Sequence, residues 1–187
     1  MPEIRDFPET HVAYVSETGA YREAIPRGFK RLFDWLNAKG TWPFGPSMGI
    51  FYDDPSKVPP EKQRCDLCAP VASDVTGSGE VRTKEIGGWK VATVIYEGEE
   101  NEMAAYNEVY EWLHREGYHE LDAPIQVYLS SLGERLRAEI AVPIVKQEIT
   151  SGKGENQAKG PRKTTRKAAT KTTKRSTTRK SSKTSEI

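Results

Sequence analysis

The chain has 187 residues, and its 28 Lys and Arg residues nearly balance 27 Asp and Glu residues, which gives a formal net charge of +1. The two signs are segregated, because residues 151–187 hold 12 basic and two acidic residues, whereas residues 1–150 hold 16 basic and 25 acidic residues. This separation excludes a single domain of mixed charge and predicts an acidic globular body with a basic arm.

Composition also narrows the class of protein. No run of about 18 apolar residues occurs, and the N-terminus lacks the basic start and apolar stretch of a signal peptide, so we expect neither a transmembrane helix nor membrane contact. Two Cys residues without an export signal predict a cytoplasmic protein, with nucleoid association if the arm binds DNA. About 145 residues suffice for one ordinary core, so we predict one domain over residues 1–148 and a separate segment over 149–187.

The first half of the body predicts four elements in chain order. The Val-Ala-Tyr-Val run at 12–15 has the β-branched alternation of a strand. Residues 25–39 predict a helix that ends at Gly40. Two short strands follow, around 48–53 and 65–71. The residues that share the apolar face of the helix are Ile25, Phe29, Leu32, Phe33 and Leu36.

The second half predicts the same four elements. Residues 91–94 read Val-Ala-Thr-Val and predict a strand. Residues 102–116 predict a helix that ends at Gly117. Strands are predicted around 125–129 and 137–145. The residues of the apolar helical face are Met103, Tyr106, Val109, Tyr110 and Leu113.

The two halves, about 8–73 and 80–147, therefore repeat one β-α-β-β unit. Matched positions are 79 apart in the first strands, 77 in the helices, 76 in the second strands and 73 in the last strands, where Asp66 matches Glu139. Four matches in the same order indicate a duplication. We predict an α+β fold in which a curved antiparallel sheet carries both helices on one face and a ligand groove on the other.

Strand alternation predicts which side chains line that groove. In the last strand the apolar set Ile140, Val142 and Ile144 should face the helices, so Glu139 should face the groove. The same alternation and the repeat place four further side chains beside Glu139, namely Tyr52, Asp66, Gln126 and Tyr128. Aromatic walls with one or two carboxylates suit an apolar or cationic small molecule, although a solvated sheet face would have the same pattern. We add Tyr14 as a ligand contact, and Trp89 at the groove edge either stacks on a ligand or packs.

Several segments together resemble one family. They are Tyr14-x-x-x-x-Gly19-x-Tyr21, Gly49-Ile-Phe-Tyr-Asp-Asp-Pro55, Gly88-Trp89-Lys90-Val91-Ala92 with Gly98, Tyr110-x-Trp112-Leu113-x-x-x-Gly117-Tyr118, Val127-Tyr128-Leu129, and Glu139-Ile140-Ala141-Val142-Pro143-Ile144. Over about residues 8–146, the order and spacing of these segments resemble the GyrI-like, or AraC-type effector-binding, domain. The chain departs from the family at Gly98-Glu99-Glu100, where Gly-Pro-Tyr is usual, and at Gln126, where Glu is frequent.

The resemblance implies a duplicated β-α-β-β fold with a central ligand groove. Members act as drug-sensing parts of transcription regulators, as stand-alone small-molecule binders, as a gyrase-inhibitory protein and, in some cases, as hydrolases of cyclopropane-bearing toxins. In the regulators a groove carboxylate and aromatic side chains hold cationic ligands, and Glu139 and Tyr128 are the matching candidates here. Only about ten residues precede the predicted fold, so we expect no helix-turn-helix domain before it.

Three functions remain open on this basis. The favoured one is a stand-alone, non-enzymatic sensor or sequestering protein for small molecules, without a cofactor. The second is a hydrolase of strained or activated molecules, in which Glu139 orients or activates a water and Tyr128 or Tyr52 donates a proton. The third is an interaction protein that docks on a partner such as gyrase. The sequence leaves the oligomeric state open.

Cys65-x-x-Cys68 is a single pair of thiols. A structural zinc ion needs four ligands, and none of the three His residues has a metal-binding spacing with this pair. We therefore predict that both thiols are structural and that the chain has no metal site.

The basic arm has the composition of a polyanion-binding segment. Residues 151–187 contain one terminal Ile and no other large apolar residue, so the sequence predicts that they are disordered. Regularly spaced cations of this kind bind DNA or RNA backbones with little sequence preference, although a solvated tail or a contact with the acidic body would have the same composition. The predicted nucleic-acid contacts are Arg162, Lys163, Arg166, Lys167, Lys171, Lys174, Arg175, Arg179 and Lys180.

Overall fold

The computed structural model describes residues 1–131 and 133–146. The predicted basic arm and its nucleic-acid contacts lie outside the described residues. Within them, no helix combines the length and apolar character that a membrane span requires. The elements are β1 (Glu3–Phe7), β2 (Thr10–Thr18), α1 (Tyr21–Lys39), β3 (Met48–Phe51), β4 (Arg64–Pro70), β5 (Arg82–Ile86), β6 (Trp89–Glu97), α2 (Glu102–Glu116), β7 (Tyr118–Glu120), β8 (Ile125–Tyr128) and β9 (Arg137–Lys146).

Both predicted helices form. Helix α2 occupies the predicted residues, whereas α1 begins at Tyr21, four residues before its predicted start. The first turn of α1 has no side-chain cap, but the Tyr21 hydroxyl donates a hydrogen bond to the Asp53 carbonyl at 2.8 Å, and this tertiary contact holds the turn in place. Each helix ends at a left-handed glycine, Gly40 with φ 65° and Gly117 with φ 72°, as predicted.

The strands form one curled antiparallel sheet. Its order is β1-β6-β9-β8-β3-β4-β2-β5, and β7 pairs with the end of β9. Both helices cover the same face, α1 over β2 and β4, and α2 over β6 and β9. We call this the outer face. The opposite, inner face buries one apolar cluster to which all eight strands of the ordered path contribute, including Phe7 of one edge strand and Ile86 of the other. Because side chains from both edges meet in that cluster, the sheet must curl around it into a half-barrel.

The structure confirms the duplication and extends the repeated unit by one strand. Strands β1 and β5 are 79 residues apart, the same offset as β2 and β6, so each half contains five matched elements rather than four. Strand β1 pairs with β6 and β5 pairs with β2, so each half lends its first strand to the other half. Sequence patterns missed both strands because Glu-Ile-Arg-Asp-Phe and Arg-Thr-Lys-Glu-Ile are mostly charged, as is common at exposed sheet edges.

The pairing of β3 with β8 locates the pseudo-twofold axis that relates the halves. Exchange of the halves at an offset of 77 maps the pair Met48–Val127 onto the pair Ile125–Ile50, and it maps Gly49–Gln126 onto itself. The axis therefore passes through the Gly49–Gln126 pair, at the centre of the sheet.

The same register corrects one prediction. Val127 lies opposite Glu139 on the inner face, so Gln126 and Tyr128 point to the outer face and not into the inner groove. The sequence comparison matched the second strands at an offset of 76, whereas the structure gives 77, the same offset as the helices. Val127 was expected to face the helices, but it packs in the inner cluster, because the inner face of the sheet is apolar too. Tyr52 was placed by transfer from Tyr128, and the slip of one residue in the repeat put it on the correct face. The inner-face positions of Tyr52, Asp66 and Glu139 were predicted correctly.

Candidate functional site

The inner face, where the groove was predicted, is largely filled by its own side chains. A cavity of about 140 Å³ remains at its mouth, lined by Tyr52 and Trp89 together with Ile50, Lys84, Glu85, Ile86, Asp122, Ala123 and Ile125. Pockets for drug-sized ligands typically measure about 300–1,000 Å³. This cavity has room for a single small ring, so the inner face as it stands does not accommodate a large aromatic ligand.

Glu139, the predicted groove carboxylate, is already paired. Arg5 of β1 donates two hydrogen bonds to it, from Nε at 2.9 Å and from Nη2 at 2.6 Å. These bonds raise the pKa of Arg5 above its ordinary value. Glu139 is only 8% exposed, so the bidentate contact neutralises a buried charge.

Asp66, the matching carboxylate of the other half, is paired in the same manner. Lys84 of β5 contacts it at 2.6 Å, and the hydroxyls of Ser16 and Tyr52 donate further hydrogen bonds at 2.6 and 2.7 Å. Burial acts to raise the pKa of Asp66, but these three bonds outweigh it and lower the pKa. Burial, together with the bond to Asp66, raises the pKa of Tyr52 to about 12.

The two ion pairs are equivalent under the repeat. Arg5 and Lys84 are 79 residues apart, and Glu139 and Asp66 are 73 apart, the offsets of their respective strands. Each pair joins a cation of one half to a carboxylate of the other. The inner-face carboxylates therefore hold the halves together and are not free counter-charges for a ligand.

Tyr14 and Trp89 lie on the inner face as well. The Tyr14 ring lies beneath Arg82 and Lys84, whose cationic groups are 5.0 and 4.4 Å from its centroid. The Trp89 ring stacks on Phe7 with centroids 6.1 Å apart and also lines the cavity. Of the two readings for Trp89, packing is therefore observed, and a ligand contact stays a prediction.

The residues proposed for hydrolysis do not come together. Tyr52 and Glu139 are on the inner face and each is engaged in one of the two ion-paired clusters, whereas Tyr128 projects from the outer face. A general acid and a general base need to reach one substrate. The predicted set Glu139, Tyr128 and Tyr52 does not meet this requirement.

The outer face carries a different candidate site between the two helices. The central strands β3 and β8 lie between the pair β4–β2, which α1 covers, and the pair β6–β9, which α2 covers. We call this interval the interhelical groove. Phe33 and Met103 were predicted on the apolar faces of the helices, but they are 41% and 56% exposed. The helix positions that border this interval are Ile25, Phe29 and Phe33 of α1 and, at the repeat offset of 77, Glu102, Tyr106 and Tyr110 of α2. Of these, Ile25 and Phe29 pack against the buried cluster beneath α1, and Tyr106 and Tyr110 pack against the cluster beneath α2.

The floor of the interhelical groove lies on the pseudo-twofold axis. Gly49 has no side chain there, and a Cβ atom at this position would lie 2.7 Å from the Phe51 ring and 3.4 Å from the Tyr128 hydroxyl. The Phe29 ring meets the Tyr128 ring edge to face, with centroids 5.5 Å apart. Aromatic rings from both halves therefore close over the central pair Gly49–Gln126.

Two polar atoms beneath these rings have no partner among the described residues. They are Oε1 of Gln126 and the hydroxyl of Tyr128, both fully buried. The Gln126 Nε2 group donates to the Tyr96 hydroxyl, which leaves the amide oxygen free. Burial, with the Tyr96 phenol and the Glu102 carboxylate, raises the pKa of Tyr128 far above its ordinary value, so this hydroxyl stays protonated. The pair can offer one acceptor and one donor to a ligand.

Sequence reasoning missed three contributors to this site. Tyr96 and Glu102 contribute to the raised pKa of Tyr128, and Tyr128 in turn contributes to the raised pKa of Tyr106, yet none of these three was proposed as a ligand contact. A signal was present for two of them, because Tyr106 matches Phe29 and Glu102 matches Ile25 at the helix offset of 77. The aligned halves showed that Glu102 stands where the first half has Ile25.

The thiols take no part in either site. Cys65 packs under α1 on the outer face and Cys68 packs in the inner cluster, so the strand directs them to opposite sides. Burial raises the pKa of each thiol to about 12, which suppresses the reactive thiolate. Residues 1–131 and 133–146 contain no cluster of His, Cys, Asp and Glu that would hold a metal ion.

Comparisons with known proteins match this architecture. Residues 1–145 match the family described as GyrI-like small molecule binding domain. A DNA gyrase inhibitor of Salmonella arizonae is 31% identical over 105 residues, which is 54% of this chain and 67% of that protein. The C-terminal domain of EcmrR superposes with a TM-score of 0.65 at 16% identity, over 79% of this chain and 98% of that one. SAV2435 bound to tetraphenylphosphonium superposes with a TM-score of 0.50 at 9% identity, over 78% of this chain and 94% of that one. This protein belongs to the GyrI-like small-molecule binding domain family.

Proposed function

We propose that this protein is a sensor or sequestering protein that binds an aromatic small molecule in the interhelical groove. The observation that carries the proposal is the pair of buried polar atoms without partners, Gln126 Oε1 and the Tyr128 hydroxyl, among aromatic rings. A buried polar atom without a hydrogen bond costs about 1–3 kcal/mol, so an unfilled pair needs a reason. A ligand that displaces the rings and bonds to these atoms supplies one.

The chemistry of the groove favours an apolar ligand with few polar groups. Aromatic side chains line both walls, and small-molecule sites commonly combine such walls with a few placed polar groups. The rings of Phe29, Phe51 and Tyr128 fill the space over the axis, so entry requires them to move. SAV2435, which shares the fold, is bound to tetraphenylphosphonium, a ligand made almost entirely of aromatic rings.

A fluorescence titration tests the site. N-phenyl-1-naphthylamine is a neutral probe whose emission rises in apolar surroundings and whose N–H can donate to Gln126 Oε1 or to the Tyr128 oxygen. Tyr128→Phe removes one unpartnered hydroxyl, so we expect an affinity about three- to tenfold lower without a loss of stability. Tyr52→Phe is the matched control, because it removes a phenol hydroxyl from the inner face, and it should leave the affinity unchanged.

The two faces give opposite outcomes in this test. A loss of affinity with Tyr52→Phe but not with Tyr128→Phe would place the ligand inside the half-barrel and contradict the proposal. Absence of any emission change with the full chain would also contradict it.

The proposal includes nucleic-acid contact by the basic arm. Twelve basic residues over 151–187 suit a phosphate backbone. Such binding weakens steeply as the salt concentration rises, because the counterions released on binding then gain less entropy. Truncation after Thr150 should abolish retention on duplex DNA at low salt, whereas the full chain should be retained. Equal retention of both forms would assign the contact to the body instead.

A further inference from the structure

The strongest unexplained charge in the described residues is the carboxylate of Glu102. Each fully buried acid has a cationic partner, because Glu17 contacts Arg27 and Arg31, Asp66 contacts Lys84, and Glu139 contacts Arg5. Glu102 is half-buried and forms no ion pair or hydrogen bond with residues 1–131 and 133–146. A charge that is taken out of water without a partner is costly, so this one requires an explanation.

The position of Glu102 directs it into the interhelical groove. It lies three and four residues before Ala105 and Tyr106, on the stripe of α2 that faces the sheet. Under the repeat it matches Ile25, which packs with the cluster around Phe51 beneath α1. The side chain thus occupies a place that is apolar in the other half.

Helix capping does not explain this carboxylate. The start of a helix favours the charged form of an acid, which should lower its pKa. The pKa of Glu102 is instead raised, first by burial and then by the nearby Glu99 carboxylate. Its charge contributes to the raised pKa of three phenols, Tyr96 from β6, Tyr106 from α2 and Tyr128 from β8.

We infer that Glu102 is the counter-charge for a cationic ligand in the interhelical groove and determines the specificity of this site for positive charge. The inference rests on the proposed function and adds to it the charge of the ligand and the residue that reads it. An unpaired carboxylate attracts a cation by its charge, and the phenol rings of the same region can add cation–π contacts. Gln126, at the floor of the groove, is uncharged, so the negative charge comes from Glu102 of α2.

Two ligands that differ mainly in charge test this role. Tetraphenylphosphonium is a cation, and triphenylphosphine oxide is a neutral molecule with three of the same rings. Both are titrated against bound N-phenyl-1-naphthylamine with the full chain. We expect Glu102→Gln to weaken tetraphenylphosphonium about tenfold and to change the affinity for triphenylphosphine oxide less than about twofold.

Two control variants separate a local contact from a general field. Glu102→Asp keeps the charge and should retain most of the affinity for the cation. Glu99→Gln removes an exposed acid from the same segment and should change the affinity for tetraphenylphosphonium less than about twofold. Melting temperatures of all three variants check that the fold is intact.

Each alternative result has a defined meaning. Equal weakening by Glu99→Gln and Glu102→Gln would assign the effect to the acidic segment as a whole and overturn the inference. Unchanged cation affinity in Glu102→Gln would overturn it while leaving the proposed function standing. Failure of the unmodified protein to bind either compound or the fluorescent probe would overturn both.

Discussion

The two halves of the body share a backbone plan but differ in charge. Helix α1 carries five basic and two acidic residues, a net charge of +3, whereas α2 carries four acidic and one basic residue, a net charge of −3. The groove walls differ accordingly, with Ile25, Phe29 and Phe33 on one side and Glu102, Tyr106 and Tyr110 on the other. The fold tolerates this difference because it needs only an apolar stripe beneath each helix. The positions that face the groove are therefore where the halves have acquired different chemistry.

The positions that join the halves behave differently. Arg5–Glu139 and Lys84–Asp66 occupy equivalent places and have the same arrangement of charge. A second equivalent set lies beside them, because Lys90 contacts Asp6 and His11 contacts Glu85 at the same offset of 79. The contacts between halves thus keep their charge pattern while the residue types vary, which makes each pair a natural control for the other.

The largest expected effect on the free energy of unfolding concerns the two buried carboxylates, Glu139 and Asp66, which accept different numbers of hydrogen bonds. Glu139 receives its hydrogen bonds from Arg5 alone among the described side chains, whereas Asp66 also has Ser16 and Tyr52. Arg5→Ala should lower the free energy of unfolding by about 3 kcal/mol, at the low end for a buried pair because Arg5 is partly exposed. Lys84→Ala should lower it by about half as much, since two hydroxyls remain. Urea unfolding of both variants measures the difference.

The exposed pair Lys90–Asp6 serves as the control for that comparison. Lys90→Ala should leave the free energy of unfolding nearly unchanged, because solvent screens the contact. Equal losses in all three variants would show that burial of the carboxylate does not control the effect.

The next effect concerns the axis itself, where the two halves contribute different residues. Gly49→Ala would place a Cβ atom 2.7 Å from the Phe51 ring, so that ring or the strand must shift. We expect a loss of about 2 kcal/mol in the free energy of unfolding. Gly45→Ala is the control, because its Cβ would meet Pro70 at an ordinary 3.5 Å. Similar stability of both variants would mean that the Phe51 ring moves freely, which would itself favour ligand entry.

The sequence predicted the duplication, both helices and most strands, because apolar periodicity and repeated spacing are local signals. It missed β1 and β5, because their charged residues have partners that are distant in the chain. Arg5 of β1 pairs with Glu139, more than 130 residues away, and Lys84 of β5 pairs with Asp66, nearly 20 residues away. It placed Tyr128 on the wrong face because the apolar residue Val127, expected to face the helices, packs in the inner cluster instead. Pairing partners and registers are long-range facts, and the candidate site depends on both.

A third prediction uses the difference between Glu102 and Ile25. The pKa of Glu102 is raised, so lowering the pH through that raised value protonates the carboxylate and removes its attraction for a cation. The affinity for tetraphenylphosphonium should fall by about tenfold as the pH falls below this range, and the affinity for triphenylphosphine oxide should stay constant. Titrations with the fluorescent probe at a series of pH values measure both. In Glu102→Gln the pH dependence should vanish, and its persistence there would trace it to another group.

The smallest expected effect distinguishes the pair His11–Glu85 from its equivalent Asp6–Lys90. The His11 ring lies between the Val75 carbonyl at 3.0 Å and the Glu85 carboxylate at 2.5 Å, so both nitrogens donate only when the ring is charged. The bond to Val75 and the bond to Glu85 raise the pKa of His11 in the folded state. The resulting stability is fully present below the unfolded pKa of about 6.5 and is lost as the pH rises through the folded value.

We therefore expect the free energy of unfolding to fall by less than about 1 kcal/mol as the pH rises across that range. His11→Lys would give this half the same type of pair as the other, because lysine keeps its charge throughout. The fall should then disappear. Lys90→His tests the reverse, since it should add a second pH-dependent contribution at the equivalent place. If neither substitution alters the pH profile, the two pairs do not contribute to stability through charge, and their equivalence is geometric only.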